Sequence, residues 1–295
     1  MPAAEVKPEN VARILARLVG PAVEAKRGRT ALKLRSYLAA AYTLAMGAGT
    51  NPMAPAGAVG FKLTINPAQA VSPRAMAAKY NRVGKRALSP EELVRYMARV
   101  DALPSLLQRI ALRLQLVIGG QRIRQLLRIT MDDVSADAMV LFDPKGRRVQ
   151  PRQHELPMIP EAAELIDALR GLHQPGGSRL LFNAGGATLT ASTLSTAVHD
   201  ISMAMVEAGE AASPFRGGDI RRTAETLLAG RLRVSKDDRS QLLSHGLGGV
   251  QDAHYDRSDH MLAKAEALRR WNDYLANLCI GADVADNVIP LRGAA

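Results

Sequence analysis

Apolar residues recur at helical spacing through the first part of the chain. Residues 8–19 and 26–47 carry them three and four positions apart, which predicts two helices, and Lys33 and Arg35 lie off the apolar stripe of the second one. The next segment, "GTNPMAPAGAVG", is dense in glycine and proline and therefore predicts a loop. The stretch "SPRAMAAKYNRVGKRALSPEEL" predicts a basic linker that ends where a new helix starts.

That new helix has a clear start signal. Ser89 is the predicted N-cap, Pro90 takes the first helical position, and Glu91 and Glu92 fall in the first turn. Two short strands at 138–142 and 152–158 flank "DPKGRRVQPR", which indicates a β-hairpin. Further helices are predicted at 90–101, 104–118, from 121, at 160–172 and over most of 192–278. The expected fold is mainly α with a small β-sheet (α+β).

Charge divides the chain near residue 86. The protein has 39 Lys and Arg against 28 Asp and Glu, a net charge of +11. Residues 1–86 hold 14 of the basic residues and only three acids, so the whole excess lies there. A basic module joined to a charge-balanced one predicts a nucleic-acid-binding surface, with a solvated basic surface as the alternative. The candidate DNA contacts of this module are Lys26, Arg27, Arg29, Lys33 and Arg35.

Composition argues against a membrane or secreted protein. Cys279 is the single cysteine, so a disulfide framework is excluded and a reducing cytoplasm is expected. No 18-residue stretch is free of charge, the N-terminus lacks an apolar signal region, and no basic amphipathic helix carries Trp or Phe.

Residues 244–260, "SHGLGGVQDAHYDRSDH", carry three of the six histidines around Tyr255. A metal site, an activated nucleophile and a polar helix end are the three interpretations. His245, His254 and His260 lack the paired spacing of a zinc-binding helix, and no thiol lies nearby, so a metal site is disfavoured. A tyrosine nucleophile would instead need arginines to neutralise a phosphate, a proton acceptor and an acid for the leaving group.

Candidates for those helpers occur earlier in the chain. In "GGQRIRQLLRIT", Arg122 follows a Gly-Gly turn at a helix start, where an anion is favoured, although a surface arginine is an equal interpretation. In "DPKGRRVQPRQHELP", Lys145 lies at the hairpin tip, either as a proton donor or as a solvated lysine. In "GGDIRRTAETLL", Arg221 and Arg222 open a helix on which one of them can face inward.

The order of these motifs resembles the tyrosine recombinases, the phage-integrase family of site-specific DNA recombinases. "GGQR" resembles the first arginine motif, "KGRR" before "HELPM" the hairpin lysine, "DIRRT" the second arginine motif, and "LLSHGLGGVQDAHYDR" the final histidine and tyrosine. The match runs from about 87 to 275, and "NPMAP" and "INPAQAV" resemble the end of the family's core-binding domain.

The resemblance implies the chemistry of an integrase of a mobile element. Tyr255 would form a 3′-phosphotyrosyl link, Arg122 and Arg221 would hold the phosphate, Lys145 would protonate the leaving 5′-oxygen, and His245 would bind the phosphate or take the tyrosine proton. Neither metal, ATP nor any other cofactor is implied. A DNA-binding protein with a decayed active site and a topoisomerase of type IB are the alternatives.

Two positions depart from the family pattern. Gly218 stands where the family usually has histidine, so Arg216 or a water is expected to fill in. Gln125 stands where a glutamate is often seen and is interpreted as structural. Arg147 and Arg148 of the hairpin are further candidate DNA contacts.

The resemblance also implies a domain plan. Residues 1–86 would form the core-binding domain, 87–282 the catalytic domain, and 283–295 a tail that docks either on a neighbouring protomer or on its own domain. The two domains would clamp duplex DNA, as a monomer when free and as a homotetramer on paired sites in a bacterial cytoplasm, at the nucleoid. The family's arm-binding domain has no counterpart before residue 8, so the chain is either compact by nature or a fragment. The resemblance also allows an excision factor or a DNA-bending protein as a partner.

Overall fold

A computed structural model gives the architecture of two compact units, Met1–Lys85 and Arg86–Ala295. It describes residues 1–21, 23, 27–54, 57, 61, 63–80, 86–143, 151–173, 180–184, 187–245 and 259–281. Among these residues, no helix combines the length and the apolar character needed to cross a membrane.

The first unit is helical. Its helices are α1 (Pro8–Val19), α2 (Gly28–Met46), α3 (Pro67–Ala70) and α4 (Arg74–Tyr80). They surround a small core in which Val11 and Leu15 of α1 meet Ala31 of α2 and Ala68 of α3. The two long helices confirm the helical periodicity of the sequence.

Helix α4 corrects the prediction of a linker after residue 72. Residues 74–80 are helical and pack against α2, and Met76 reaches the small core. Gly28 lies directly against the Tyr80 ring, and a Cβ at that position would clash with it. The basic composition suggested a solvated segment, but apolar contacts with α2 order it.

The second unit is an α+β body, so the predicted fold class is confirmed. Its described helices are α5 (Pro90–Asp101), α6 (Leu106–Val117), α7 (Ile123–Leu126), α8 (Pro160–Leu172), α9 (Ala191–Glu207), α10 (Gly217–Gly230), α11 (Lys236–Leu242) and α12 (Asp259–Cys279). Ser89 caps α5 as predicted: its hydroxyl accepts from Glu92 N at 3.2 Å, and Glu92 Oε2 accepts from Ser89 N at 2.8 Å.

Two small antiparallel sheets accompany the helices. Strands β1 (Ala138–Asp143) and β2 (Arg152–Pro157) pair with Ala138 opposite Pro157 and Asp143 opposite Arg152, which confirms the two predicted strands. The connecting residues 144–150 lie outside the described part of the chain. A second pair, β3 (Asn183–Ala184) and β4 (Ala187–Thr188), was not predicted, because strands of two residues leave no alternation to detect.

One continuous core binds these elements together. Its centre is Trp271 of α12, which is fully buried and donates from Nε1 to the Leu116 carbonyl at 2.8 Å. On the same helix, Asn272 donates to the Val117 carbonyl at 2.9 Å. Both bonds satisfy carbonyls near the C-terminal end of α6, just before the Gly-Gly turn. The packing therefore fixes that turn, and the functional site is built around it.

Candidate functional site

The site begins at the N-terminal part of α10. Arg216 precedes the helix, and its backbone N donates to Asp219 Oδ2 at 2.9 Å, so the Asp219 carboxylate caps the first turn. Just over one turn into the helix, Arg221 points inward, with 8% of its surface exposed. The neighbouring Arg222 turns elsewhere and donates to the Arg86 carbonyl at 2.9 Å and to Asp219. The two adjacent arginines thus have separate roles.

The Gly119-Gly120 turn lies directly against Arg221. Both glycines have positive φ, +79° and +74°, a backbone conformation that L side chains rarely adopt. A Cβ at Gly120 would lie 2.8 Å from the Arg221 Cα and 3.2 Å from the Ala224 Cβ. Only glycine allows α10 to approach the turn this closely, and the approach brings Arg221 beside the segment that carries Arg122.

Arg221 joins three segments that are far apart in sequence. Its Nη1 donates to Gln121 Oε1 at 3.2 Å and to the Gly120 carbonyl at 3.4 Å. Its Nη2 donates to the Leu243 carbonyl and to His245 Nε2, the latter at 3.0 Å. A buried guanidinium needs such partners because an unsatisfied buried charge is costly. The network therefore brings Arg221 and His245 together.

His245 follows the end of α11, after Ser244 turns the chain with a φ of +49°. A guanidinium only donates, so the bond from Arg221 makes His245 Nε2 an acceptor and places the proton of the neutral ring on Nδ1. Nδ1 lies 3.8 Å from Glu225 Oε2, a carboxylate that favours the imidazolium if the ring gains a second proton. Nε2 holds the only lone pair of this ring, so the ring can take up a proton only when the Arg221 donor leaves Nε2, and Glu225 would then stabilise the imidazolium.

Burial and a neighbouring positive charge dominate the electrostatics of Arg221. Burial, followed by the charge of Arg122, lowers the pKa of Arg221 to about 9, while Glu225 and Asp143 act in the opposite direction. At neutral pH the guanidinium stays protonated. Arg122 lies just before α7 and donates from Nη1 to Asp143 Oδ2 at 3.1 Å. Two guanidinium groups therefore share one site, which is suited to an anion.

Gln121 supports the same site from the protein interior. Its side chain is fully buried, and its Nε2 donates to the Leu242 carbonyl at 2.8 Å and to the Ile118 carbonyl at 3.1 Å. His154 of β2 reaches the same Leu242 carbonyl at 3.0 Å. These bonds connect the end of α11 to both the Gly-Gly turn and strand β2. His245 follows that end of the helix.

No motif of the sequence indicated that His154, Gln121 or Asp143 belongs to the site. In the sequence, His154 was only a polar residue on a predicted strand, and Gln121 was only the residue that follows the Gly-Gly turn. Burial lowers the pKa of His154 to about 3, with Lys264 as the second cause, so this ring is neutral and structural. Lys264 of α12 donates to the Glu155 carbonyl at 2.8 Å, and burial lowers its pKa to about 8.

The structure also describes the surroundings of the two positions that depart from the family pattern. Gly218 is exposed on the first turn of α10, and a Cβ there would meet no atom within 4 Å. Arg216 is exposed at the start of the same helix. Gln125 is buried on α7, and its side-chain amide makes no hydrogen bond within the described residues. Its burial agrees with the structural interpretation.

Several predicted site residues lie outside the described part of the chain. These are Tyr255, Lys145, Arg147, Arg148 and Lys26, and His254, which was not a predicted site residue, also lies outside the described part. His260 is half-buried at the start of α12. Within the described ranges, no group of three His, Cys, Asp or Glu side chains could hold a metal ion.

The candidate DNA contacts of the first unit divide into two kinds. Arg27, Arg29 and Lys33 are exposed at and near the start of α2. Arg35 is half-buried and donates to the carbonyls of Val71 at 3.0 Å and Gln69 at 3.1 Å. Its guanidinium therefore satisfies the end of α3, a structural role that the charge pattern alone did not indicate.

Comparison with known proteins places the fold. No protein-family model and no curated protein matches the chain. Among solved structures, a lambda integrase (75–356) dimer bound to a COC′ core site matches with a TM-score of 0.54 and 17% identity, over 88% of this chain and 84% of that one. The Tn1549 transposon integrase (82–397) in complex with circular intermediate DNA matches with a TM-score of 0.58 and 15% identity, over 90% and 86%.

A recombinase also matches. XerH site-specific recombinase bound to difH has a TM-score of 0.51 and 18% identity, over 93% of this chain and 70% of that one. This chain covers 65% of the longer lambda integrase chain in a second core-site dimer. Lambda integrase is also known as a tetramer bound to a Holliday junction. The protein therefore has the fold of the tyrosine recombinases, as its motifs suggested.

Proposed function

We propose that this protein is a site-specific DNA recombinase that cuts and rejoins duplex DNA through Tyr255, in the integration or excision of a mobile element. The observation that carries the proposal is the junction of Arg221 with His245 and with the turn before Arg122. Three motifs contribute groups suited to a phosphate, within the fold that the integrases share. The first and second motifs are about 100 residues apart, and the second and third are 24 residues apart.

In the proposed reaction, the Tyr255 hydroxyl attacks one backbone phosphate. The Tyr255 oxygen–phosphorus bond forms, the bond to the 5′-oxygen breaks, and the product is a 3′-phosphotyrosyl link with a free 5′-hydroxyl. The attacking hydroxyl has an ordinary pKa of about 10, so it needs a proton acceptor near neutral pH. His245 would take that role through Nε2 once the Arg221 guanidinium turns from the ring to the phosphate, and Glu225 near Nδ1 would stabilise the imidazolium that forms.

The arginine pair would act mainly in the transition state. The phosphodiester carries one negative charge, and more develops as the fifth oxygen approaches the phosphorus. Arg122 and Arg221 would balance that charge in a site that excludes most water, where such contacts are commonly worth several kcal/mol. Lys145 would protonate the leaving 5′-oxygen. Because the covalent link conserves the bond energy, rejoining needs only the reverse proton transfers.

The first unit would contribute the electrostatic part of DNA binding. Its exposed cations include Arg27, Arg29 and Lys33, and the whole net charge of the chain lies in residues 1–86. On paired sites the protein would assemble as a homotetramer, with residues 283–295 docking on the neighbouring protomer. A water, or Arg216 at the start of the same helix, would take the place of the usual histidine at Gly218, which is exposed.

Trapping a covalent adduct tests the proposal. The protein is incubated with nicked duplex DNA taken from the flanks of its gene, so that the cut strand diffuses away and the link persists. Wild type should form an adduct, and Tyr255→Phe should bind the DNA but form none. The matched control is Tyr37→Phe, which removes the hydroxyl of an exposed tyrosine on α2 and should leave the adduct unchanged. A wild-type protein that binds but never links would favour the decayed DNA-binding protein instead.

A further inference from the structure

Asp143 is a buried carboxylate inside the arginine site. It is the last residue of β1, and 7% of its surface is exposed. Its Oδ2 accepts from Arg122 Nη1 at 3.1 Å and from the Ser244 hydroxyl at 3.5 Å. The motifs of the sequence gave it no role.

The position of this carboxylate has an electrostatic consequence. Arg122 and Arg221 place two positive charges in a site where burial already lowers the pKa of Arg221 to about 9. The charge of Asp143 offsets part of that repulsion. Without a bound anion, Asp143 therefore contributes to balancing both guanidinium groups, only one of which it contacts directly.

The same carboxylate opposes the reaction if it stays in place. A phosphodiester bound to Arg122 and Arg221 brings one negative charge, and the transition state develops a second. A carboxylate held on Arg122 would repel that developing charge, and in a poorly hydrated site such repulsion is strong. Rotation of the Asp143 side chain would remove it from the guanidinium without moving the strand.

We propose that Asp143 is a stand-in for the scissile phosphate, which neutralises the arginine pair in the free protein and is displaced from Arg122 when a phosphodiester enters. The proposal rests on the proposed function in taking the natural anion to be a DNA phosphodiester. Affinity for anions is then set by competition with the carboxylate. A small anion competes poorly, while a DNA site held by many other contacts can displace it, so Asp143 sets selectivity for DNA.

Asp143→Asn tests this directly, since it keeps the shape and removes the charge. Binding of inorganic phosphate is measured from the rise in the thermal midpoint of the full chain, at constant ionic strength. Without phosphate the variant should melt below wild type, because the arginine pair has lost a counter-charge. With phosphate its midpoint should rise more than that of wild type, and its affinity for phosphate should be about tenfold higher.

Asp101→Asn is the matched control. Asp101 pairs with Arg113 at the end of α5, is half exposed, and its loss removes the same charge from another part of the unit. This variant should respond to phosphate as wild type does. Phosphate binding by Asp143→Asn that is equal to or weaker than that of wild type would overturn the proposal, and would instead make Asp143 a residue that orients Arg122.

If Asp143→Asn fails to fold, a second measurement, made on the wild-type protein, tests the proposal. In a structure of wild type on nicked duplex, the distance from Asp143 Oδ2 to Arg122 Nη1 should exceed the roughly 4 Å limit of an ion pair. A pair that stays in contact on DNA would also overturn the proposal. Phosphate binding needs neither DNA nor cleavage. The phosphate measurement therefore tests the role of Asp143 separately from the proposed recombinase activity.

Discussion

The approach of the Gly-Gly turn to α10 provides a sharp test of how the site is built. Gly119→Ala and Gly120→Ala place the same methyl group on adjacent residues with nearly equal φ, +79° and +74°. Both variants should lose about 1–2 kcal/mol from the free energy of unfolding, because an L residue is strained there. The two sites then differ only in what the methyl group meets.

At Gly119 the added Cβ would lie 3.4 Å from the side chains of Leu242 and Leu268, an ordinary contact. At Gly120 it would lie 2.8 Å from the backbone Cα of Arg221, so the helix must move. Overpacking of this kind costs about 1–3 kcal/mol more. We expect a total loss of about 2–5 kcal/mol for Gly120→Ala.

Urea unfolding followed by tryptophan fluorescence measures the two losses. Trp271 is the single tryptophan of the chain and lies in the core of the second unit, so the signal reports that unit. A shift of Arg221 should also slow formation of the covalent DNA adduct about tenfold or more in Gly120→Ala. Equal unfolding losses and equal adduct rates in the two variants would refute the argument that Gly120 is needed for the position of Arg221.

Two further predictions concern Arg221 and His154. Arg221→Lys should lower the rate of adduct formation by about 10²–10³ with little change in DNA affinity, because lysine cannot reproduce the planar array of donors, while Arg222→Lys should react at nearly the wild-type rate. For His154, the folded pKa of about 3 lies below the ordinary 6.5, so the unfolded chain binds a proton first as pH falls. The free energy of unfolding should therefore decrease between pH 6.5 and 3 by up to about 1.4 kcal/mol per pH unit. His154→Gln, which keeps a donor for the Leu242 carbonyl, should show a flatter dependence in the same urea titrations, and an unchanged slope would mean that the ring is not buried neutral.

The helices were largely predictable from local signals. Ser89, Pro90 and Glu92 together fix the start of α5, because capping depends on residues within one turn. The helix at Arg74–Tyr80 was missed because its exposed face is basic and its ordering depends on packing against α2. Such contacts cannot be read from composition.

The site was predictable only in its parts. The Gly-Gly turn, Arg221 and His245 each stood out as motifs, but the bonds from Arg221 to His245 and Gln121 form across about 24 and 100 positions of sequence. Asp143 gave no signal, since an acid at the end of a strand is an ordinary turn residue. Its role depends on Arg122 being brought beside it by the fold.

The covalent adduct itself shows whether Tyr255 is the nucleophile, as we propose. Wild-type protein trapped on nicked duplex is digested, and the peptide that carries the nucleotide is sequenced by mass spectrometry. We expect a phosphotyrosyl bond at Tyr255 on the 3′ end of the cut strand, with a 5′-hydroxyl on the other side. A link through another residue, or a 5′-phosphotyrosyl end, would contradict it.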